Sequence, residues 1–180
     1  MTETSKPETA RKIESYIRDN PGVHFSGIVE GLGTAPGQTQ YHVFDLLDVG
    51  DVVSLKLYGR AHYYLPEYDD SEWEKGALAL LRRETPRDVV VYLVNADADA
   101  DGVKPADVAD SLGIARSTLE YHLDRLVEQD IVKKTREENR VRLELEKPEK
   151  TVEMLVEVEP PISETMVDRF MRLVDNVMDE

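Results

Sequence analysis

The sequence contains no cysteine. That excludes a disulfide framework, a thiolate zinc finger, an iron–sulfur cluster and a cysteine nucleophile. Long apolar runs are missing as well. The longest, Val89–Val94, has six residues, against the roughly 20 a membrane helix needs. No basic and then apolar opening leads to a small-residue cleavage site, so no secretory signal is expected. Nor is there a nucleophile–base pair, a phosphate loop or a dinucleotide fingerprint. Gly31, Gly33 and Gly37 are spaced wrongly to cradle phosphate. The expectation is a soluble, cytoplasmic, non-enzymatic chain with no cofactor and no membrane partner.

Positive charge is scarce. Lys and Arg number 22 against 37 Asp and Glu, for a net charge of -15. The acids are spread along the chain rather than gathered in a tail, and hydrophobic residues make up 41%. A folded acidic surface of this kind suits a salt-rich cytoplasm, where repulsion is screened within about 3 Å at 1 M salt. At 180 residues the chain can hold one or two domains.

Shifted by 80 residues, the sequence matches itself. Residues 28–53 align with 108–133 without a gap. The identities are Leu32/Leu112, Gly33/Gly113, Ala35/Ala115, Tyr41/Tyr121, His42/His122, Leu46/Leu126 and Val52/Val132. Two similar units follow, too few for a solenoid.

Each unit reads in the same order. In the first, Ile13, Tyr16 and Ile17 form an i, i+3, i+4 stripe on a helix over Glu8–Asp19. In the second, Thr85-Pro86-Arg87-Asp88 predicts a helix start, with Thr85 as cap and Pro86 at the first position. Val89–Val94 then forms its buried body. A short helix, Pro105–Leu112, is stopped by Gly113. After a tight turn, a longer helix runs over Ser117–Gln129, with Leu119, Leu123 and Leu126 on one face. The period then changes to two. Strands are expected at Ile131–Thr135 and Arg140–Leu145 around a Glu137-Glu138-Asn139 turn. In the first unit they fall at Val52–Leu57 and Ala61–Leu65 around Tyr58-Gly59-Arg60.

This is the element order of a winged helix-turn-helix. The run Asp107–Leu123 resembles the helix-turn-helix of archaeal winged-helix regulators in the broad ArsR/MarR-like group. Pro21–Phe25, Gln40-Tyr41-His42, Gly59-Arg60 and Tyr63–Pro66 resemble the first domain of tandem winged-helix proteins of haloarchaeal type. The resemblance covers residues 8–146. It implies a mainly α, α+β fold with small β-hairpin wings, and a transcription regulator that binds double-stranded DNA.

On DNA, the longer helix of each unit would enter the major groove by its N-terminal end. In the second unit that places Arg116, Ser117 and Thr118 at the start, with Tyr121 and Arg125 further on. Arginine can fork onto guanine, and hydroxyls can bond phosphate or base. The wing adds Lys133, Lys134, Arg136, Arg140 and Arg142 against Glu137 and Glu138, a local charge of +3 that leaves -18 for the remainder. The first unit is the poorer reader. It offers Gln38, Thr39, Gln40 and Tyr41 on the helix and Lys56 and Arg60 on the wing, with Asp45 and Asp48 making the helix negative. Whether it touches DNA is open at this point.

Two other features carry less. Asp97–Gly102 copies the first six positions of a calcium loop. The match then fails, with Pro105 ninth and Val108 where a bidentate glutamate is required. The four histidines, His24, His42, His62 and His122, do not form a ligand cluster in sequence. No metal is expected. His42 and His122 recur in register, which points to a shared structural hydrogen bond, and His24 and His62 could meet at the base of the first wing.

Four segments are therefore expected: 1–66, a first winged-helix domain; 67–84, a linker helix begun by a Ser71–Glu74 capping box; 85–148, a second winged-helix domain; and 149–180, a C-terminal strand and amphipathic helix. The strand is drawn over Thr151–Glu159 from alternating Val152, Met154, Val156 and Val158. In the helix, Met166, Phe170, Leu173 and Val177 follow 4-3-4 spacing and would serve a homodimer, or dock on the chain itself. The alternative to a DNA-binding regulator is a winged-helix interaction module that docks on transcription machinery without touching DNA.

Overall fold

A left-handed glycine stops a short helix in each half of the chain, and the rest of each half is built around that corner. The computed structural model describes residues 6–68, 71–96 and 102–158. It is a mixed α+β fold that divides into two units, Met1–Ala79 and Leu80–Glu180. Eight helices and two small antiparallel sheets lie among the described residues.

The first unit opens with α1 (Glu8–Asp19), which buries Ala10, Ile13 and Ile17. The strand β1 (Val23–His24) leads directly into α2 (Phe25–Leu32). Gly33 ends α2 with φ +62°, and α3 (Pro36–Val49) follows with Pro36 in its first turn. The strands β2 (Val53–Leu57) and β3 (Arg60–Tyr64) form the hairpin, in sheet order β1-β3-β2. Val43 and Leu46 of α3 join Ile13, Ile17, Ile28, Val52 and Tyr63 in one core. Gly31 lets α1 and α2 approach closely. A Cβ there would collide with the Tyr16 ring and hydroxyl.

The helix α4 (Glu72–Leu81) begins with the expected capping box. The Ser71 backbone N–H donates to Glu74 Oε2 at 2.6 Å, and the Glu74 N–H donates to Ser71 Oγ at 3.3 Å. The buried Tyr64 hydroxyl donates to the Lys75 carbonyl at 2.7 Å, tying α4 to β3.

The second unit repeats the order: α5 (Glu84–Asn95), α6 (Pro105–Leu112), α7 (Arg116–Glu128), β4 (Val132–Glu137), β5 (Arg140–Leu145) and α8 (Pro148–Glu157). Backbone details recur 80 residues apart. Val23 pairs with Tyr63, and Val103 bridges to Leu143. Gly33 and Gly113 are both left-handed, with φ +62° and +64°, and so are Tyr58 and Glu138, with φ +49° and +51°. The Asp51 and Ile131 amides each donate to the carbonyl five residues back, Leu46 and Leu126, at 2.9 Å. The core of this unit is Val89, Val90, Leu93, Val108, Leu119, Leu123, Leu126, Ile131 and Leu143.

Three expectations change. The helix α5 starts at Glu84 and not at Pro86, with Arg83 as its cap and no side-chain cap bond. Pro86 is buried in the first turn, where a missing N–H leaves no hydrogen bond unmade. Both hairpin turns are shorter than expected, because Leu57 pairs with Arg60 and Glu137 with Arg140. The strand drawn over Thr151–Glu159 is a helix as far as Glu157. The same residues satisfy two periods. Their alternation suits a strand, but Thr151, Met154, Leu155 and Val158 also form an i, i+3, i+4, i+7 stripe. That stripe is the one buried, on a helix packed against α5. The expected amphipathic helix and the acidic run 97–101 lie outside the described residues.

A Cβ at Gly113 would meet nothing within 4 Å, so only the backbone opposes a side chain there. Gly113→Ala should therefore cost about 1–2 kcal/mol from the left-handed conformation alone. The cost should appear as a lower melting temperature in thermal circular dichroism. Gly113→Asn, whose side chain tolerates that conformation, should recover part of it.

Candidate nucleic-acid interface

The N-terminal end of α7 is exposed. Leu119, Leu123 and Leu126 turn into the core, which leaves Arg116, Ser117, Thr118 and Tyr121 exposed. Further along the same helix Asp124 and Glu128 are exposed too, so the surface runs from cationic to acidic. A polyanion is therefore favoured at the start of the helix and opposed at its end.

Tyr121 and Arg125 do not project separately. The Arg125 guanidinium carbon lies 3.4 Å from the Tyr121 ring centroid, and Nη1 donates to the Tyr121 carbonyl at 2.8 Å. Arginine stacked on a ring face is attracted by the ring quadrupole. The pair presents one flat surface, and Arg125 is half-buried in making it.

The hairpin distributes its cations over both faces. The register pairs Lys134 with Leu143 and Arg136 with Val141, so those two cations share the face of the core-facing residues. Lys133, Arg140 and Arg142 occupy the opposite face, across from Glu144, Glu137 and Thr135 respectively. Two of the five cations are drawn to the protein's own acids. Lys134 bridges to Glu120 of α7, and Arg142 lies 3.8 Å from Glu137 with its stem wedged beside Gly102. Arg116, Lys133, Arg136 and Arg140 are exposed and make no ion pair among the described residues.

The first unit builds a different surface on the same frame. Gln38 and Gln40 are exposed at the start of α3, but Thr39 is not. Its hydroxyl donates to the Ala35 carbonyl at 3.1 Å and lies 2.6 Å from the Thr34 hydroxyl, from which it accepts. Thr39 is thus a lock for the turn and not a base reader. Leu119 does the same work in the second unit by apolar burial. On the first hairpin Lys56 and Arg60 are both exposed but on opposite faces, Lys56 paired with Ala61 and Arg60 with Leu57. Beyond Gln40 the exposed residues of α3 are Tyr41, Phe44, Asp45, Asp48 and Val49. Sequence reasoning passed over Phe44. The signal was available, because Phe44 stands where the second unit has the acid Asp124.

His24 and His62 do meet at the base of the first hairpin, paired across β1 and β3 with ring centroids 6.3 Å apart. They hold protons on different nitrogens. His24 Nδ1 accepts from the Gly27 amide at 3.0 Å and caps α2, whereas His62 Nδ1 donates to the Gly22 carbonyl at 2.8 Å. Both are structural. His42 and His122 are buried, and Nδ1 of each makes no hydrogen bond among the described residues. The shared bond expected for them is absent at that atom. Their common feature is an edge-on contact with the preceding tyrosine, at 5.2 Å in one unit and 5.1 Å in the other. No group of three or more His, Asp or Glu among the described residues could hold a metal ion. Likewise no described helix is long and apolar enough to cross a membrane.

Comparison with known proteins agrees with a helix-turn-helix. Residues 7–78 match the family HTH_HVO_0163_N, described as an N-terminal HTH domain. An HTH domain is therefore present. Over 134 residues the chain is 28% identical to a Methanocaldococcus jannaschii protein named Uncharacterized HTH-type transcriptional regulator MJ1398. The alignment covers 74% of this chain and 32% of that relative, so the chain spans about a third of the length of the relative it matches. Among solved structures, the DIP2311 protein of Corynebacterium diphtheriae is similar at 11% identity with a TM-score of 0.29. That match covers 76% of this chain and 26% of the other and is too slight to bear on the fold.

Burial, with Arg83 and Arg125 adding to it, holds the His122 imidazole below its ordinary value near 6.5. The unfolded chain therefore binds the proton more readily than the folded one. The stability His122 contributes is complete above about pH 6.5 and is lost as pH falls toward its folded value. Melting curves from pH 8 to pH 5 should show the second unit losing stability. In His122→Leu the loss over the same interval should be smaller.

Proposed function

We propose that this chain is a sequence-specific DNA-binding transcription regulator with two winged helix-turn-helix domains. They are residues 1–66 and 85–148, joined by the linker helix of 67–84. The second domain dominates binding. Arg116, Ser117 and Thr118 enter the major groove at the start of α7, with the Tyr121–Arg125 pair against the backbone or a base edge. Lys133, Arg136 and Arg140 hold phosphates from the wing, assisted by Lys134 and Arg142 once their internal acids are outcompeted. Gln38, Gln40, Tyr41, Lys56 and Arg60 are the exposed groups of the first domain that DNA could reach.

One observation carries this reading. Four exposed cations without an ion pair among the described residues gather on one helix start and one hairpin, in a chain of net charge -15. Exposed and solvated, they cost the fold little unpaired and are available to a polyanion outside the chain. The name of the methanogen relative, a transcriptional regulator, supports the same class.

The acid-rich composition fits a high-salt cytoplasm, and the segment 149–180 is the candidate homodimer element. Its Met166, Phe170, Leu173 and Val177 would place two reading helices on a two-fold site. In molar salt, counterion release contributes little. Affinity must then come from hydrogen bonds, shape and apolar contact.

Gel shifts on genomic fragments test the proposal. Arg116→Ala should weaken binding roughly tenfold or more and relax preference at one base pair. The pair Lys133→Glu and Arg140→Glu should weaken binding on all fragments alike. Affinity should decline only shallowly with added KCl. If the wild type and these variants bind equally poorly, or if binding falls steeply across the same salt range, the reading is wrong.

A further inference from the structure

The two long helices place the same tyrosine on the same frame and then treat it oppositely. Tyr41 and Tyr121 each meet the edge of the following histidine, at 5.2 and 5.1 Å. Four residues on, one turn of helix away, the second unit carries Arg125 and the first carries Asp45. Arg125 folds over the Tyr121 ring at 3.4 Å, and Tyr121 is 47% exposed. Asp45 cannot cover a ring face in that way, and Tyr41 is 69% exposed. Phe44, 62% exposed, stands beside it where the second unit has Asp124.

The outcome is an aromatic face rimmed by acids. Tyr41, Phe44, Asp45, Asp48 and Leu47 line a shallow depression on α3. The helix contains no lysine or arginine. Asp45 and Asp48 make no ion pair among the described residues, whereas nearby Asp51 is held by Lys6 at 2.7 Å. The negative end of the helix dipole adds to these charges. Such a face repels phosphate and offers what a cation on an apolar segment needs, a ring to stack on and carboxylates to pair with.

We propose that the Tyr41–Phe44 face docks a partner protein through an arginine. That arginine supplies in trans the guanidinium that Arg125 supplies in cis to Tyr121. It stacks on Tyr41, forks onto Asp45 or Asp48, and a neighbouring apolar side chain of the partner covers Phe44. Arginine fits better than lysine, because its planar group stacks and bonds two carboxylate oxygens at once. The proposal is independent of DNA binding by the second unit, and its test uses no DNA in the primary measurement.

The test is an NMR titration of the full chain with two blocked five-residue peptides, one with arginines flanking leucines and one with glutamates in their place. The arginine peptide should shift Tyr41, Phe44 and Asp45 and leave the second unit unchanged, while the glutamate peptide shifts nothing. Asp45→Arg rebuilds the internal clamp and should weaken the peptide about tenfold or more, as should Tyr41→Ala. Glu30→Arg, an exposed charge swap on α2, should keep full binding, and unchanged core resonances in each variant verify the fold. The proposal is overturned if the arginine peptide leaves α3 unmoved at saturation, or if Asp45→Arg binds it as well as the wild type does. It is equally overturned if a DNA duplex, and not the peptide, shifts Tyr41 and Phe44. Self-association that Tyr41→Ala abolishes and the peptide does not compete with would assign the face to a second copy of the chain instead.

Discussion

The corner between the short and the long helix sets the geometry on which the other features depend. Gly33 and Gly113 adopt the left-handed conformation that ends one helix and redirects the chain within three residues into the next. The corner is then locked from inside. In the first unit the lock is polar, a buried threonine that accepts from Thr34 and donates to Ala35. In the second it is apolar, with Leu119 buried in the core. Either lock fixes which side of the long helix faces in and which faces out.

With the corner fixed, the outward face can vary without affecting the core. The buried positions of α3 and α7 match: residues 39, 42, 43 and 46 against 119, 122, 123 and 126. The exposed positions diverge in charge. Pro36 faces Arg116 in the alignment, Phe44 faces Asp124, and Asp45 faces Arg125. Surface changes of this kind cost little stability, because they remove no packed volume and bury no charge. One scaffold can therefore present a cationic helix start in one unit and an acidic aromatic face in the other.

The hairpins follow the same division of labour. Val132 and Leu143 anchor the second hairpin to its core, and charged residues occupy the hairpin from the Lys133–Glu144 rung beside the base to the Glu137–Arg140 rung at the tip. In sequence the five cations stand together, for a local charge of +3 with Glu137 and Glu138. The register separates them onto two faces, and two of them are engaged by Glu120 and Glu137. The effective cationic surface is smaller than the charge count implied, and it is concentrated in side chains whose internal partners are missing among the described residues.

Much of the architecture was legible in the residues. Helix periodicity, the capping box at Ser71, the glycine stops and the alternation of the hairpins are local signals, set by backbone sterics and side-chain spacing within a few residues. The repeat placed both long helices in register, even to the Tyr-His pair. What could not be read locally depended on which of two compatible faces found a buried neighbour. Thr151–Glu157 alternates like a strand but became a helix, because α5 offered a surface for its i, i+3, i+4 stripe. Thr39 looked like a base reader until the fold turned it inward, and Arg125 like a free cation until Tyr121 lay within its reach. A sequence specifies what each side chain can bond. Distances across the fold choose among those bonds, since hydrogen bonds and cation–ring contacts decay within a few ångströms.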